Sequence, residues 1–402
     1  MRLNTTRALV PILLASGLLA AACGSSSSSS TTTTTSGGSS GGATVSVTTF
    51  TKNFSTMGSL KAVTAAGKGK IAVILPDTVS SARYTEFDAP YLTRAFASAG
   101  LSSSDTIIQN AQGSDSTQLT DAQSAITSGA TVLVVDPLDA GVGNSIESYA
   151  AAHGVAVVDY DRLVLGGSRK YYVSFDNVKV GTLIGNGMTA CVSSWNVAKP
   201  TLAVMVGSPT DNNATLFAQG YNDVLKPLVS SGAYTVAANP AGTWDPPTAL
   251  TEFQQAYTAH PTINAVLVPN DENAAPIITY LKTLNIPAKK FPVTGQDATL
   301  IGLQNILSGY QCGTAYKPIY LEAQAAASLA LYLRAGKTPP AGLVNGSVKD
   351  TTANVTVPSS LLVPEWVTPT NMQSTVVADG FVPASQLCTG AYAAACTTYG
   401  IK

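Results

Sequence analysis

The sequence predicts an α/β protein of two lobes, each built on a doubly wound parallel sheet. Three observations carry that reading. Short β-branched runs alternate with segments whose apolar residues recur at helical spacing. The alternation closes near residue 175 and then restarts, so one sheet of four to five strands is followed by another. Many of the apolar runs also end close to Asp, Asn or Pro, at the carboxyl ends of strands, where a parallel sheet presents ligands.

The elements follow in order. Arg2 and Arg7 precede an apolar stretch, Ala8 to Ala22, and the small residues Leu19-Ala20-Ala21-Ala22 lead into Cys23. This reads as a signal peptide over 1–22, too short and too broken by Pro11 and Gly17 for a membrane span. Its removal would take the formal net charge from −1 to −3. Residues 23–48 are dominated by Ser, Thr and Gly and are expected to be a flexible tether. Gly37-Gly38-Ser39-Ser40-Gly41 matches a nucleophile-elbow pattern by letters only, with no strand before it and no helix after it. Residues 49–69 read as an ordered lead-in that packs Phe50 and Phe54.

A strand over Ile71–Leu75 stops at Pro76-Asp77, and a helix through Phe87, Tyr91, Ala95 and Ala99 stops at Gly100. Strand Thr106–Gln109 precedes a helix carrying Leu119, Ala122 and Ile126, ended by Gly129. The run Val132–Val135 stops at Asp136-Pro137. A helical segment with Val142, Ile146 and Tyr149 closes at His153-Gly154, and Val155–Val158 then ends in Asp159-Tyr160-Asp161-Arg162. That stretch is one βαβ unit, and it delivers a carboxylate and a guanidinium from a single strand end. Fixed acceptors beside fixed donors suit a small polyhydroxylated ligand. Beyond residue 175 the pattern reads helix 178–194, strand 202–206, helix 212–230, strand 234–238, helix 247–259, strand 263–268, helix 273–284 and strand 291–294.

Composition narrows the function. With 45% hydrophobic residues, 402 residues bury a large core; only 11% are charged, with no basic stripe for nucleic acid. The two histidines, His153 and His260, lie at helix ends away from any metal-ligand spacing, so neither a metal nor another cofactor is expected. Gly336-Lys337-Thr338 follows a helix and runs into Pro339-Pro340, which a phosphate loop does not do. Asp161 beside Arg162 favours an ionised acceptor over a general acid, so no enzymatic activity is expected.

Several blocks are distinctive. VVDYDR followed by YYVSFDNVKVG resembles the periplasmic sugar-binding proteins of ABC importers, and within them the D-xylose-binding family. GSPTDNNATLFAQG (207–220), LKPLVSSG (225–232), VPNDENA (268–274), TGQDATLIGLQNILSGYQ (294–311) and AYKPIYLEA (315–323) extend the match in order over about residues 70–387. The resemblance implies the type I periplasmic-binding-protein fold, with three chain crossings forming a hinge. It places one lobe at 49–175 and 317–360 and the other at 176–316 and 361–402, with a strand near Leu361–Val367 crossing back.

Carried over motif by motif, the family's ligand contacts fall on Arg83, Tyr84, Asp161, Arg162, Asp211, Asn213, Trp244, Asn270, Asp297 and Lys317. Where the family shows Arg-Trp this chain has Arg83-Tyr84, and the alignment of SSARY needs one inserted residue. Each residue also has a plainer reading. Asp211-Asn212-Asn213 and Asn270-Asp271 suit helix N-caps, Asp161–Arg162 suits a structural ion pair, and Trp244 before Pro246-Pro247 suits a loop anchor.

Cys23 after the small residues resembles a bacterial lipobox and implies an extracytoplasmic protein, lipid-anchored to the cell membrane. The expected partners are a monosaccharide, D-xylose first or else another pentose or a hexose, and the membrane permease subunits of an ABC importer. The chain itself is expected to be a monomer. A sensor of the same fold reporting to a membrane kinase or chemoreceptor is the alternative. A repressor is excluded by the leader and by the lack of a helix-turn-helix before residue 70. Four further cysteines in an oxidising compartment make two disulfides. Of three possible connectivities, Cys388–Cys396 is expected from proximity, which leaves Cys191–Cys312.

Overall fold

The structure, a computed structural model, describes residues 45–402. The signal peptide, Cys23 and residues 24–44 lie outside the described residues. The chain runs α1 (Lys61–Ala66), β1 (Lys70–Leu75), α2 (Ala89–Ser98), β2 (Thr106–Asn110), α3 (Asp115–Thr127), β3 (Ala130–Val135), α4 (Ala140–Ala152), β4 (Ala156–Tyr160) and β5 (Tyr171–Phe175). It continues α5 (Asn177–Ser194), β6 (Thr201–Val204), α6 (Asn212–Ser230), β7 (Thr235–Ala238), α7 (Pro246–Ala259), β8 (Ala265–Leu267), α8 (Asp271–Thr283), α9 (Leu300–Leu307) and β9 (Thr314–Tyr316). The last part is α10 (Ile319–Arg334), β10 (Gly346–Asp350), β11 (Val355–Leu362), β12 (Glu365–Val367), α11 (Ala384–Leu387) and α12 (Ala393–Tyr399).

Seven strands form the first sheet in the order β10-β11-β5-β4-β3-β1-β2. All its pairs are parallel except the β10–β11 hairpin. Strands β1 and β3–β5 are almost wholly buried, which is why they read as unbroken Val and Ile runs. The second sheet orders β7-β6-β8 in parallel, and β9 pairs β12 antiparallel beside it. Helix α10 returns to the first sheet, burying Glu322, Gln324 and Ser328 among its alanines. The chain therefore passes between the sheet systems after β5, after β9 and between β11 and β12.

Four expectations need correction. The strand at 291–294 is reduced to one bridge, Val266 to Val293. Pro292 has no N–H to give, and the Thr294 hydroxyl takes the place of backbone pairing by bonding both N and O of Val268 (2.8 and 3.0 Å). The first sheet gains β10 and β11 to reach seven strands, because residues far along the chain complete it. The boundary at 360/361 moves, since β11 stays in the first sheet through Leu362 and only Val363-Pro364 separates it from β12. Residues 45–48 are packed rather than tethered. Val45 and Val47 are buried, and Val47 N–H donates to Gly342 O at 3.0 Å. Two valines in a Ser/Thr background suffice to dock the segment, and Phe50, Phe54, Met57 and Leu60 continue the same apolar contact.

The long connection after β4 carries Arg162 and is pinned from below. Arg169 donates to Val164 O at 2.6 Å and pairs with Asp350, which also accepts from Gly166 N–H. Glu147 accepts from Arg169 N–H at 2.7 Å. In the second lobe, α5 is joined to the segment before β9 by a Cys191–Cys312 disulfide, and Cys388–Cys396 closes the C-terminal tail.

Helices α5 and α6 pack backbone to backbone. A Cβ on Gly181 would sit 2.0 Å from Phe217 O, and one on Gly220 would sit 2.1 Å from Val178 O. Gly220→Ala is expected to force the helices apart and to cost about 1–3 kcal/mol, as overpacking does. Urea unfolding followed by circular dichroism checks this, and an unchanged midpoint would show the pair to be loosely packed.

Candidate ligand-binding site

The site residues stand just beyond strand ends, each placed by the turn that follows. Ser80, Ser81, Arg83 and Tyr84 follow β1, and Asp161 and Arg162 follow β4. Asp211 and Asn213 open α6 after β6, Trp244 follows β7, and Asn270 opens α8 after β8. Asp297 lies after the Val293 bridge, and Lys317 follows β9. All ten expected residues line one small cavity, of about 30 Å³, between the two sheets. Phe217 and Gln296 also line it. Phe217 is one helical turn beyond Asn213, and Gln296 precedes Asp297, so helix periodicity and adjacency were the available signals.

Two acidic residues reach the cavity through left-handed backbone, Asp161 at φ 56° and Asp297 at φ 88°. Asp is among the few side chains that adopt this region, and such conformations cluster at ligand sites. At Asp161 the turn is fastened by its own carbonyl, which accepts from Tyr172 hydroxyl and from Asn213 Nδ2, each at 2.8 Å.

The charges form linked sets. Arg83 is clamped by three carboxylates: Asp88 on two nitrogens (2.8 and 2.9 Å), Asp161 at 2.6 Å and Glu322 at 2.6 Å. Asp88 in turn accepts from the Tyr160 hydroxyl. Arg162 donates to Tyr84 hydroxyl at 2.8 Å and to the carbonyls of Pro137 and Leu138. Its Nε lies 3.6 Å from Asp211 and 3.7 Å from the buried Asp136. Lys317 Nζ lies 3.1 Å from Asp297 and 3.9 Å from Asp161.

These neighbours set the protonation states. Burial alone would raise the Asp161 carboxyl, but Arg83, Lys317 and Arg162 hold it below its ordinary value. Burial would lower Lys317, and Asp297 and Asp161 overcome it, so the ammonium is retained. Asp211 is raised by burial, with Arg162 opposing. Beneath the site, burial pushes Asp271 up to about 7, although Gln311, Thr299 and Thr314 all donate to it.

The plainer roles are present as well. Asp211 caps α6 by accepting from Asn213 N–H at 2.9 Å, and its other oxygen accepts from Trp244 Nε1 at 2.9 Å. Asn270 caps α8 through Asn273 N–H at 3.1 Å. Asn213 is largely committed to protein, accepting from Tyr172 hydroxyl and Asn177 while donating across the cleft to Asp161 O. Asp88, Asp136 and Glu322 were not anticipated. Their partners lie elsewhere in the chain, Glu322 239 residues from Arg83, and although Asp136 ends an apolar run, no local pattern assigns these three their ion pairs.

The arrangement presents acceptor-only carboxylates, donor-only cations and amides around an aromatic wall of Trp244, Phe217 and Tyr84. It can bind a compact neutral molecule rich in hydroxyls, with ring faces against its C–H surface. Among the described residues, no group of His, Cys, Asp and Glu is placed to hold a metal ion, and no helix is long and apolar enough to cross a membrane.

The comparisons with known proteins agree with this geometry. A family model described as a periplasmic binding protein domain matches residues 71–338. The D-xylose-binding periplasmic protein of Escherichia coli (strain K12) is 37% identical over 283 residues, 70% of this chain and 82% of that protein. The multiple sugar-binding periplasmic receptor ChvE of Rhizobium radiobacter is 32% identical over 338 residues, 80% of this chain and 93% of that one. An ABC transporter solute-binding protein from Clostridium phytofermentans, solved with β-D-glucose, superposes with a TM-score of 0.71 at 26% identity, covering 79% of this chain and 99% of that one. With its doubly wound sheets, its cleft site and a family model spanning both, the chain belongs to the periplasmic binding protein family.

Proposed function

We propose that this protein captures a monosaccharide, D-xylose first, between its lobes and delivers it to the permease subunits of an ABC importer. It is a sugar-binding protein of the ABC-transporter type, as its relatives are. The observation that carries the reading is convergence. Ten residues from seven separate chain turns, expected from motifs alone, line one cavity with cations and carboxylates in near balance. The preference for a pentose rests on the relative with the highest identity quoted above.

The energetics are undemanding. A pentose has about ten heavy atoms, so micromolar affinity near −8 kcal/mol asks about 0.8 kcal/mol per atom, below the ceiling of about 1.5. Both lobes supply contacts, so a bound sugar gains all of them only in the closed state and its differential affinity favours closure.

Isothermal calorimetry with D-xylose, L-arabinose, D-ribose, D-glucose and D-galactose is expected to rank D-xylose tightest, at micromolar affinity. Comparable affinity for several sugars would make this a broad-range binder like the multiple sugar-binding relative, and no binding below millimolar would sink the reading.

Arg162→Lys keeps the charge but loses the planar fork, and Asp297→Asn keeps the shape but loses the charge. Each is expected to weaken sugar binding about tenfold to a hundredfold, although they sit on opposite lobes. Small-angle scattering of the wild type is expected to show a fall in radius of gyration on adding sugar. Binding without that fall would exclude closure as the mechanism.

Anchoring follows from the leader. The mature chain is expected to begin at a diacylated Cys23, detected by intact-mass analysis of the membrane fraction. A mature N-terminus at any other residue would remove the anchor.

A further inference from the structure

One acidic side chain in the cleft has no part in the cavity. Glu272 is the second residue of α8, on the second lobe, and it does not line the ligand site. Its Oε1 accepts across the cleft from Ser81 Oγ at 3.1 Å and from Ala82 N–H at 3.2 Å. Its Oε2 accepts from Asn270 Nδ2 at 3.1 Å, and the same amide reaches Ser80 O at 3.3 Å. Ser81 Oγ also accepts from Arg83 N–H, so Glu272 holds the turn that presents Arg83 and Tyr84.

We infer that Glu272 is a proton-sensitive latch: it closes the lobes over the site without touching the ligand and so sets the open–closed balance. The inference rests on the sugar-binding reading for its purpose but not for its geometry. No cation pairs with Glu272 among the described residues. From its own lobe it faces Asp271 and Asp297. From the other lobe it faces the Ser81–Ala82 turn, while the guanidinium of Arg83 is taken by Asp88, Asp161 and Glu322. The α8 N-terminus favours the anion, yet burial, then Asp297 and Asp271, push the Glu272 carboxyl well above its ordinary value.

The sign follows from linkage. A carboxyl whose affinity for protons rises on closure takes up a proton when the cleft shuts. The closed state is therefore fully favoured below the ordinary carboxylate range and loses that contribution as pH rises through the raised value. Asp211, also raised by burial in the cleft, would contribute in the same sense.

The test compares wild type, Glu272→Ala and Glu272→Gln as full chains. Glutamine keeps an acceptor for Ser81 and Ala82 and carries no charge. Without ligand, the radius of gyration of the wild type is expected to grow between pH 5 and pH 9. Glu272→Ala should be expanded throughout, and Glu272→Gln compact throughout. With D-xylose as probe, Glu272→Ala should bind about tenfold more weakly, as loss of its hydrogen bonds across the cleft implies, and dissociate faster. Proton uptake, read from calorimetric heats in buffers of different ionisation enthalpy, should shrink in Glu272→Gln and leave the share due to Asp211. Three proteins with the same radius of gyration at every pH would overturn the latch. Failure of D-xylose to bind would count against the sugar assignment alone, because the ligand-free scattering still decides the latch.

Discussion

Lys317 stands between a carboxylate of each lobe, 3.1 Å from Asp297 and 3.9 Å from Asp161, and much of the site depends on that placement. A buried charge without a partner is costly, so each ion in the cleft constrains where its neighbours can lie. Lys317 follows β9 directly, on the second passage between the sheets. Its position therefore joins the two lobes through paired charges. Arg83 and Arg162 extend the constraint outward. The first is fixed by Asp88, Asp161 and Glu322, and the second reaches Asp136 beneath it and Asp211 opposite. A ligand entering this lattice meets donors and acceptors already oriented, which limits the ordering cost of binding.

The scaffold serves that lattice by holding turns rather than surfaces. Asp161 and Asp297 both sit in left-handed backbone, and each is backed by buried hydrogen bonds. The Asp161 carbonyl is held by Tyr172 and Asn213. At the second turn, Thr299 N–H donates to Asp271 at 2.9 Å, and Asp271 is itself wedged against Gly295 and Gly302, where any Cβ would approach within about 2.1 Å. The close approach of α5 and α6 through Gly181 and Gly220 works in the same sense, since it sets where the first turn of α6 projects Asp211 and Asn213.

Much of the site was legible because the resemblance carried ten residues over motif by motif, and the strand-end positions of Asp161, Asp211, Asn270 and Asp297 supported it on physical grounds. The caps at Asp211 and Asn270 were legible too, from their residue types alone. What could not be read was whatever depends on distant pairing. Asp88, Asp136, Glu322 and Glu272 sit in ordinary helical or loop contexts, and only tertiary contact gives them a role. The strand expected at 291–294 failed because Pro292 and the Thr294 side chain replace backbone pairing, and apolar runs do not reveal that substitution. Val45 and Val47 were concealed by the composition around them, since a window average dilutes two docking residues among Ser and Thr. The β10–β11 hairpin was missed because its strands are half exposed and lack the buried run that marked the others.

The same distinction bears on how specificity arises. Residues at strand ends define a chemistry, a set of donors and acceptors around an aromatic wall, and the similar proteins are named for D-xylose and for multiple sugars. Discrimination between sugars differing by one hydroxyl needs a buried partner that would be left unpaired by the wrong one. In this cleft many polar atoms are already engaged with protein: Arg83 with three carboxylates, Asn213 with three partners, Asp211 with its cap and Trp244. The groups left with the most freedom toward a ligand are Asp297, Lys317 and the second oxygen of Asp161. Few atoms are therefore uncommitted to protein, while the surrounding ring of Asp88, Asp136 and Glu322 holds those atoms in register.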